Sequence, residues 1–199
     1  MRHSFITLCR INPEITATGK LNVPLVLPLQ TDGYSCVPRC VKMIFNYVES
    51  NFEGRAPNLD VSDIAEIIET KADGTLPENI RNLNDDKRVL KAIPSIEFDV
   101  DLKPHSLAEV EKEIDEKRPV IVWVELSNGV HRCAHAVVVS GLDRDKHLIY
   151  YNDPIFGEKE EEIGSFMSRW EKLDRILIKV KIGKRRMLDE FFEEEAKES

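Results

Sequence analysis

The spacing of apolar residues changes at Pro119, and this change constrains the fold more than any other feature. Before Pro119, apolar residues recur at helical spacing over residues 36–50 and 61–71. After Pro119, short runs of β-branched and aromatic residues are typical of strands and cover residues 119–125, 134–139, 147–151 and 176–182. Helices that precede antiparallel strands predict an α+β fold.

Prolines and a capping motif indicate where individual elements begin and end. Two prolines predict an extended segment over residues 21–30, which leads to a helix that begins at about Cys36. Ser106 and Glu109 have the spacing of a capping box, so a further helix is predicted there and ends before Pro119.

Composition limits the classes of protein that fit this chain. With 199 residues, 42% of them hydrophobic, we expect one domain at residues 1–183 and a charged helix or tail at 184–199. The net charge of -8 argues against a nucleic-acid partner. No apolar run reaches the roughly 20 residues of a membrane span, and the first residues do not resemble a signal peptide. We therefore expect a cytoplasmic protein without a membrane partner, whose oligomeric state the sequence leaves open.

Cys36 is a candidate nucleophile because it lies where a helix is predicted to begin. The positive end of a helix favours a thiolate over a thiol. Gln30 precedes Cys36 by a short turn, and its side-chain amide is a candidate donor to the oxyanion, together with the backbone N–H of Cys36. The alternative is that Cys36 is a small apolar residue of the core.

His135 is a candidate general base because it is a polar residue at the start of an otherwise apolar strand. A base needs one ring nitrogen for Cys36 and an acceptor for the other. Asp153 is the predicted acceptor, and Asn152 is the alternative because an amide oxygen also accepts hydrogen bonds. A histidine with its hydrogen bonds satisfied in the core is the competing interpretation.

A predicted turn at residues 143–146 joins the strand of His135 to the strand that leads to Asp153. An antiparallel pair closed by this turn places Val137 roughly opposite Asn152. Both candidate acceptors are then expected to lie beside His135.

The strand of His135 also suggests a metal site. His131, Cys133 and His135 alternate along the chain, so they share one face of a strand, and all three residue types bind zinc. A fourth ligand is not evident, and His135 is better used as a base. We therefore expect no metal and no cofactor.

The candidate residues and their surroundings resemble the papain-like double-glycine (bacteriocin-leader) peptidases, in a stand-alone form. The similar segments are Gln30 to Cys36, residues 36–44, 118–122, 135–138, 151–154 and 166–170. The resemblance covers about residues 22–182 and implies a papain-like cysteine proteinase fold, with a helical lobe and its nucleophile helix packed on an antiparallel sheet. It also implies that Gln30, Cys36, His135 and Asp153 form a catalytic site for a peptide or protein substrate.

Two departures from this family limit what the resemblance implies. Val37 stands where the family usually has glycine, which predicts less room for a substrate backbone beside Cys36. The chain has no Walker motif, so the leader specificity of exporter-linked peptidases is not implied. We predict a thiol-dependent hydrolase that cleaves an amide bond. The alternatives are a catalytically silent peptide-binding module and an acyltransferase on the same fold.

Overall fold

The computed structural model describes residues 19–52, 56–127 and 132–183. The predicted C-terminal helix or tail at residues 184–199 and the candidate ligand His131 lie outside these ranges. Within them, no helix has both the length and the apolar character needed to cross a membrane.

The first half of the chain is mostly helical, and the second half contains most of the strands. The helices are α1 Cys36–Asn51, α2 Val61–Ile67, the 3-10 helix η1 Pro77–Asn84, α3 Lys87–Ala92, α4 Leu107–Asp115 and α5 Ile163–Glu171. The strands are β1 Ile96–Asp101, β2 Val120–Ser127, β3 Arg132–Asp143, β4 Leu148–Asp153, β5 Gly157–Glu162 and β6 Leu177–Ile182.

The strands form one six-stranded sheet in the order β1-β6-β2-β3-β4-β5, and every neighbouring pair is antiparallel. The α+β fold with an antiparallel sheet is therefore confirmed. The two edge strands, β1 and β5, were not predicted. In β1 the strand signal was present, because buried Ile96, Phe98 and Val100 alternate with acidic residues.

The edge strand β5 lacks an apolar face and carries charged side chains along most of its length. An edge strand tolerates this composition because its outer side faces water, and charges there discourage pairing with another chain. Hydrophobic periodicity therefore could not reveal it. Its position depends on backbone pairing with β4 along their full lengths.

Helix α1 is the central helix of the fold, and nearly every apolar side chain along it is buried. It packs against β3 and α2. At its far end the hydroxyl group of Tyr47 donates to the carbonyl oxygen of Lys117 at 2.9 Å, just before β2. Burial on several sides fixes this helix against the sheet, so its first residue, Cys36, is held facing the strand of His135.

The predicted register of β3 and β4 is wrong by one residue. Val138, rather than Val137, lies opposite Asn152. The strands turn at residues 144–147, one residue later than predicted, which moves the partners by two positions, and the shift between Val139 and Gly141 moves them back by one. A β-bulge adds one unpaired residue, which moves every later partner by one position. The turn-based prediction assumed an uninterrupted ladder.

The bulge is the place where the chain before α1 meets the sheet. Leu21 donates its backbone N–H to Ser140 at 2.7 Å, and Lys20 forms an isolated bridge with Gly141. A Cβ atom on Gly141 would lie 2.9 Å from the Cα of Lys20, so the close approach of the two backbones requires glycine. This contact starts the segment that leads to Gln30.

Candidate active site

Cys36 is the first residue of α1, and only 8% of its surface is exposed. The N-cap residue, Ser35, makes no capping hydrogen bond with its side chain, but its carbonyl oxygen accepts from the N–H of Arg39 at 3.1 Å. The first backbone N–H groups of a helix lack partners within it. The thiol therefore lies at the N-terminal end of the central helix, where unpaired N–H groups favour a negative charge.

His135 and Asp153 form a buried pair. The Nε2 atom of His135 lies 2.9 Å from Oδ1 of Asp153, and each residue is 3% exposed. The same Oδ1 accepts the backbone N–H groups of Ile155 at 2.8 Å and Phe156 at 3.1 Å. Burial by itself raises the pKa of Asp153, but the bond and charge of His135 and these two N–H groups outweigh it and lower the pKa. The carboxylate therefore stays ionised beside the ring.

Cys36 also acts on the ring of His135, because it is one of the groups that raise the pKa of that ring. Burial by itself lowers the pKa of His135, but the hydrogen bonds and negative charges of Asp153 and Cys36 raise it to about 9. A protonated ring next to sulfur suits a thiolate–imidazolium pair at neutral pH.

Within the described residues, Asn152 forms no hydrogen bond with His135. Its Nδ2 atom donates to the carbonyl oxygen of Val23 at 2.6 Å, and its Oδ1 is buried without a partner in the described part of the chain. Asn152 therefore ties β4 to the extended segment before α1. Of the two predicted acceptors, Asp153 is the one that bonds to the ring.

Gln30 is held next to the loop that follows Asp153. Its backbone N–H donates to the carbonyl oxygen of Pro154 at 2.8 Å. Its Nε2 atom donates to the carbonyl oxygen of Asp32 at 2.9 Å and lies 3.4 Å from Oδ1 of the same residue. Within the described residues, Oε1 is buried and has no hydrogen-bond partner. Gln30 is 6% exposed, and hydrogen bonds hold both its backbone and its side chain.

The sequence matches the Peptidase_C39 like family over residues 20–178, which is more than half of the chain. The chain belongs to this family. The resemblance inferred from the sequence is therefore confirmed, and no curated protein matched the sequence.

Solved structures with the same fold include three peptidases of this type. One is described as a C39-like peptidase from Bacillus anthracis, with a TM-score of 0.56, 16% identity, and coverage of 82% of this chain and 96% of that one. The peptidase domain of Streptococcus ComA, a bifunctional ABC transporter of a quorum-sensing pathway, has a TM-score of 0.58, 18% identity, and coverage of 81% and 99%. A double-glycine motif protease of an AMS/PCAT transporter, solved with the leader peptide, has a TM-score of 0.50, 17% identity, and coverage of 81% and 94%. They confirm the papain-like fold.

Asp32 is a further residue of this candidate site, and the sequence analysis did not identify it. Its Oδ1 accepts the backbone N–H groups of Tyr34 at 2.9 Å and Ser35 at 2.7 Å, and its Oδ2 accepts the hydroxyl group of Ser35 at 2.7 Å. Burial by itself raises the pKa of Asp32, but these bonds and the charge of Arg39 outweigh it and lower the pKa. Aspartate followed by glycine before a helix is a known turn signal. The pair Asp32 and Gly33, together with Gln30 two residues earlier, could have identified Asp32 from the sequence.

Arg39 closes the same loop from the side of α1. Its Nη1 atom donates to the carbonyl oxygen of Pro28 at 2.7 Å, and its Nε donates to the hydroxyl oxygen of Ser35 at 3.2 Å. Together with Asp32, it links the extended segment, the turn and the first turn of α1. The position of Gln30 relative to Cys36 is therefore set by hydrogen bonds on both sides of the turn.

Val37, the departure from the glycine usual in C39-like peptidases, is 1% exposed. Its side chain is part of the hydrophobic core, so it does not line an open cleft beside Cys36. The reduced room for a substrate backbone stays a prediction, which the inward direction of this side chain does not test.

The other cysteines in the described ranges have different surroundings. Cys40 is completely buried, and burial, followed by the nearby charges of Cys36 and Asp153, raises its pKa well above the ordinary value. Cys133 is exposed, and its sulfur lies 3.7 Å from the carbonyl oxygen of Leu126. Within these ranges no group of three or more side chains could hold a metal, and His131 lies outside them.

Proposed function

We propose that this protein is a thiol-dependent peptidase that hydrolyses an amide bond in a peptide or protein. The observation that carries the proposal is the buried pair of His135 and Asp153, joined at 2.9 Å between Nε2 and Oδ1, with Cys36 near enough to help raise the pKa of the His135 ring. Membership of the Peptidase_C39 like family supports the same chemistry. The complex of a similar protease with a leader peptide supports a peptide substrate.

In the first half of the reaction, the thiolate of Cys36 attacks the carbonyl carbon of the scissile amide and forms an S–C bond. The imidazolium of His135 then gives its proton to the leaving nitrogen as the C–N bond breaks. Asp153 keeps the ring in the tautomer and orientation that both steps need. The product is a thioester on Cys36 and a free amine.

Gln30 and the backbone N–H of Cys36 are the proposed donors to the oxyanion. The Gln30 amide carries two N–H groups, and the carbonyl oxygen of Asp32 occupies one of them at 2.9 Å. The contact with the Asp32 carboxylate is long at 3.4 Å, so it holds the second N–H weakly. A developing negative charge on the substrate is a stronger acceptor at a short distance.

In the second half, His135 acts as a base and removes a proton from water, which attacks the thioester. The C–S bond breaks, the carboxylic acid leaves, and Cys36 returns as the thiolate beside the imidazolium. If an amine replaced the water, the outcome would be acyl transfer, which product analysis by mass spectrometry distinguishes from hydrolysis.

Alkylation by iodoacetamide tests this proposal. In a Cys9→Ser, Cys133→Ser background, we expect rapid labelling of Cys36 near pH 7 and none of buried Cys40. Cys36→Ala should abolish both the labelling and peptide hydrolysis while the protein remains folded. Slow labelling of Cys36, at the rate of a free thiol, or full hydrolysis by Cys36→Ala would overturn the proposal and favour a catalytically silent binding module.

A further inference from the structure

Phe156 is the one exposed phenylalanine in the ranges that the structure describes, with 52% of its surface open to water. A single exposed apolar residue is common on protein surfaces and by itself indicates nothing. Phe156 differs because it lies on the loop that directly follows Asp153, one of the proposed catalytic residues. Binding residues commonly lie on loops of this kind, which a rigid scaffold positions.

Two hydrogen bonds connect Phe156 to the ring of His135. The backbone N–H of Phe156 donates to Oδ1 of Asp153 at 3.1 Å, and the same Oδ1 lies 2.9 Å from Nε2 of His135. A loop whose backbone bonds to this carboxylate lies on the side of the ring where the carboxylate is. Phe156 is therefore a close neighbour of the group that is proposed to protonate the leaving nitrogen.

The loop that carries Phe156 is held at three points. Ile155 donates its backbone N–H to the carboxylate of Asp153 at 2.8 Å, next to the bond from Phe156. The carbonyl oxygen of Pro154 accepts the backbone N–H of Gln30 at 2.8 Å. A side chain on a loop held in this way costs little ordering when a ligand covers it, so the exposed ring is a preorganised surface.

The chemistry of the proposed reaction decides which part of a substrate lies near Phe156. The acyl part of the substrate bonds to Cys36, and its oxygen faces Gln30. The leaving nitrogen lies within hydrogen-bond distance of the ring of His135, since that ring gives it a proton. The chain after the scissile bond therefore begins at His135. An extended peptide advances by about 3.3 Å per residue, so its first two residues are within reach of the Phe156 loop.

Lys159 limits which side chains suit this surface. Its Nζ atom lies over the ring of Phe156, 5.6 Å from the ring centre. A lysine or arginine of the substrate would meet a like charge there. An apolar side chain that covers the exposed part of the ring gains free energy, whereas glycine covers almost none of it.

We infer that Phe156 binds a bulky apolar side chain, such as leucine or phenylalanine, at the first or second residue after the scissile bond. This inference rests on the proposed peptidase function. It adds a substrate class to that function, because it makes the protein selective for the part of the peptide that leaves as the amine.

Internally quenched peptides that differ only after the scissile bond test the inference. In a peptide that the protein cleaves, glycine, leucine, phenylalanine or lysine is placed at the first or second position after the bond. We expect kcat/KM to be about tenfold higher for leucine or phenylalanine than for glycine at one of these positions, and no gain for lysine. Leucine and phenylalanine peptides no better than the glycine peptide, or a preference for lysine, would overturn the inference.

Variants of Phe156 assign the preference to its ring. Phe156→Ala keeps the backbone N–H that bonds to Asp153 and removes the ring, so the ratio of kcat/KM between the leucine and glycine peptides should fall towards unity. Phe156→Trp keeps a flat apolar surface and should retain the ratio. Leu102→Ala is the matched control, because Leu102 is 42% exposed and follows β1, at the opposite edge of the sheet from β5. An unchanged ratio in Phe156→Ala, or an equal fall in Leu102→Ala, contradicts the assignment.

Binding to the Cys36→Ala variant separates this inference from the proposed function. Isothermal titration calorimetry of the same peptides needs no catalysis. If the protein cleaves no peptide, but the leucine peptide binds about tenfold more tightly than the glycine peptide and Phe156→Ala removes this difference, hydrolysis fails and the role of Phe156 stands. If no peptide is cleaved and the two peptides bind equally or not at all, both proposals are overturned.

Discussion

At the residue scale, the proposed role of Gln30 as an oxyanion donor depends on the hydrogen bonds that hold its amide and its backbone. Asp32 fixes one N–H of its amide, and the loop after Asp153 fixes its backbone. An amide held in this way can meet an oxyanion without first losing side-chain freedom. Its contribution should therefore appear in the chemical step more than in substrate binding.

Gln30→Ala should lower kcat by about 100-fold, the usual order for one lost oxyanion donor, and change KM less. Steady-state kinetics on a cleaved peptide measures both constants. A change in KM alone would make Gln30 a substrate-binding residue. Circular dichroism controls for the fold, since Gln30 is buried.

The pKa of His135 sets a limit on the pH range of activity. Asp153 and Cys36 raise this pKa to about 9, so the imidazolium is lost, and kcat/KM should fall, as the pH rises through about 9. Asp153→Asn removes a negative charge from the ring, so the fall should move to lower pH and kcat should decrease. Rates measured between about pH 5 and 10 give these limits.

Asn152→Ala is the matched comparison for Asp153→Asn. Because Asn152 bonds to Val23 and not to His135, its replacement should leave the upper limit of the pH profile where it is. If Asn152→Ala instead lowered that limit and Asp153→Asn did not, Asn152 would be the residue that orients the ring, and Asp153 would serve the turn alone.

At the scale of elements, the loop between the extended segment and α1 determines whether the site is assembled. Asp32 bonds to two backbone N–H groups and one hydroxyl group of this loop, and Arg39 ties α1 to Pro28. None of these side chains lies in the hydrophobic core. They position the elements that carry Gln30 and Cys36.

Asp32→Ala should lower kcat by about tenfold or more, because small displacements of catalytic groups slow the chemical step. Asp32→Asn keeps one oxygen that accepts the N–H groups of Tyr34 and Ser35, so it should restore most of the rate. Steady-state kinetics and thermal melting of both variants separate the two effects. Equal loss of activity in the two variants, or loss that merely follows the melting temperature, would contradict a positioning role.

The elements also differ in how well the sequence predicted them. Helix α1 and the capping box at Ser106 and Glu109 were predicted because apolar spacing and local hydrogen bonds act within a few residues. Strand β5 was not, because its pairing with β4 stabilises charged residues at the sheet edge. The bulge in β3 was also missed, since the local sequence does not show that Gly141 pairs with the distant Lys20 at this point.

At the scale of the whole molecule, the site joins the central helix to the sheet. Cys36 belongs to α1, His135 to β3 and Asp153 to the end of β4. Folding buries the pair of His135 and Asp153 and changes the pKa of both residues. Stability should depend on pH even where no substrate is present.

The direction follows from the two pKa shifts. His135 has a raised pKa, so its contribution to stability is complete below about pH 6.5 and is lost as the pH rises through about 9. Asp153 has a lowered pKa, so its contribution is present above its unfolded value and is lost on acidification. Urea unfolding from about pH 2 to 10 should give a maximum between these limits. A constant free energy of unfolding from pH 6.5 to 10 would contradict this, as would an unchanged profile in Asp153→Asn.

The sequence by itself determined the class of fold, the family, and the candidates Gln30, Cys36, His135 and Asp153, because periodicity and motif spacing are local properties of the chain. Only the tertiary structure decided that the ring of His135 bonds to Asp153 rather than Asn152, and that Val37 faces the core. These features depend on contacts between residues far apart in the chain, whose geometry is fixed only when the helices and the sheet pack together.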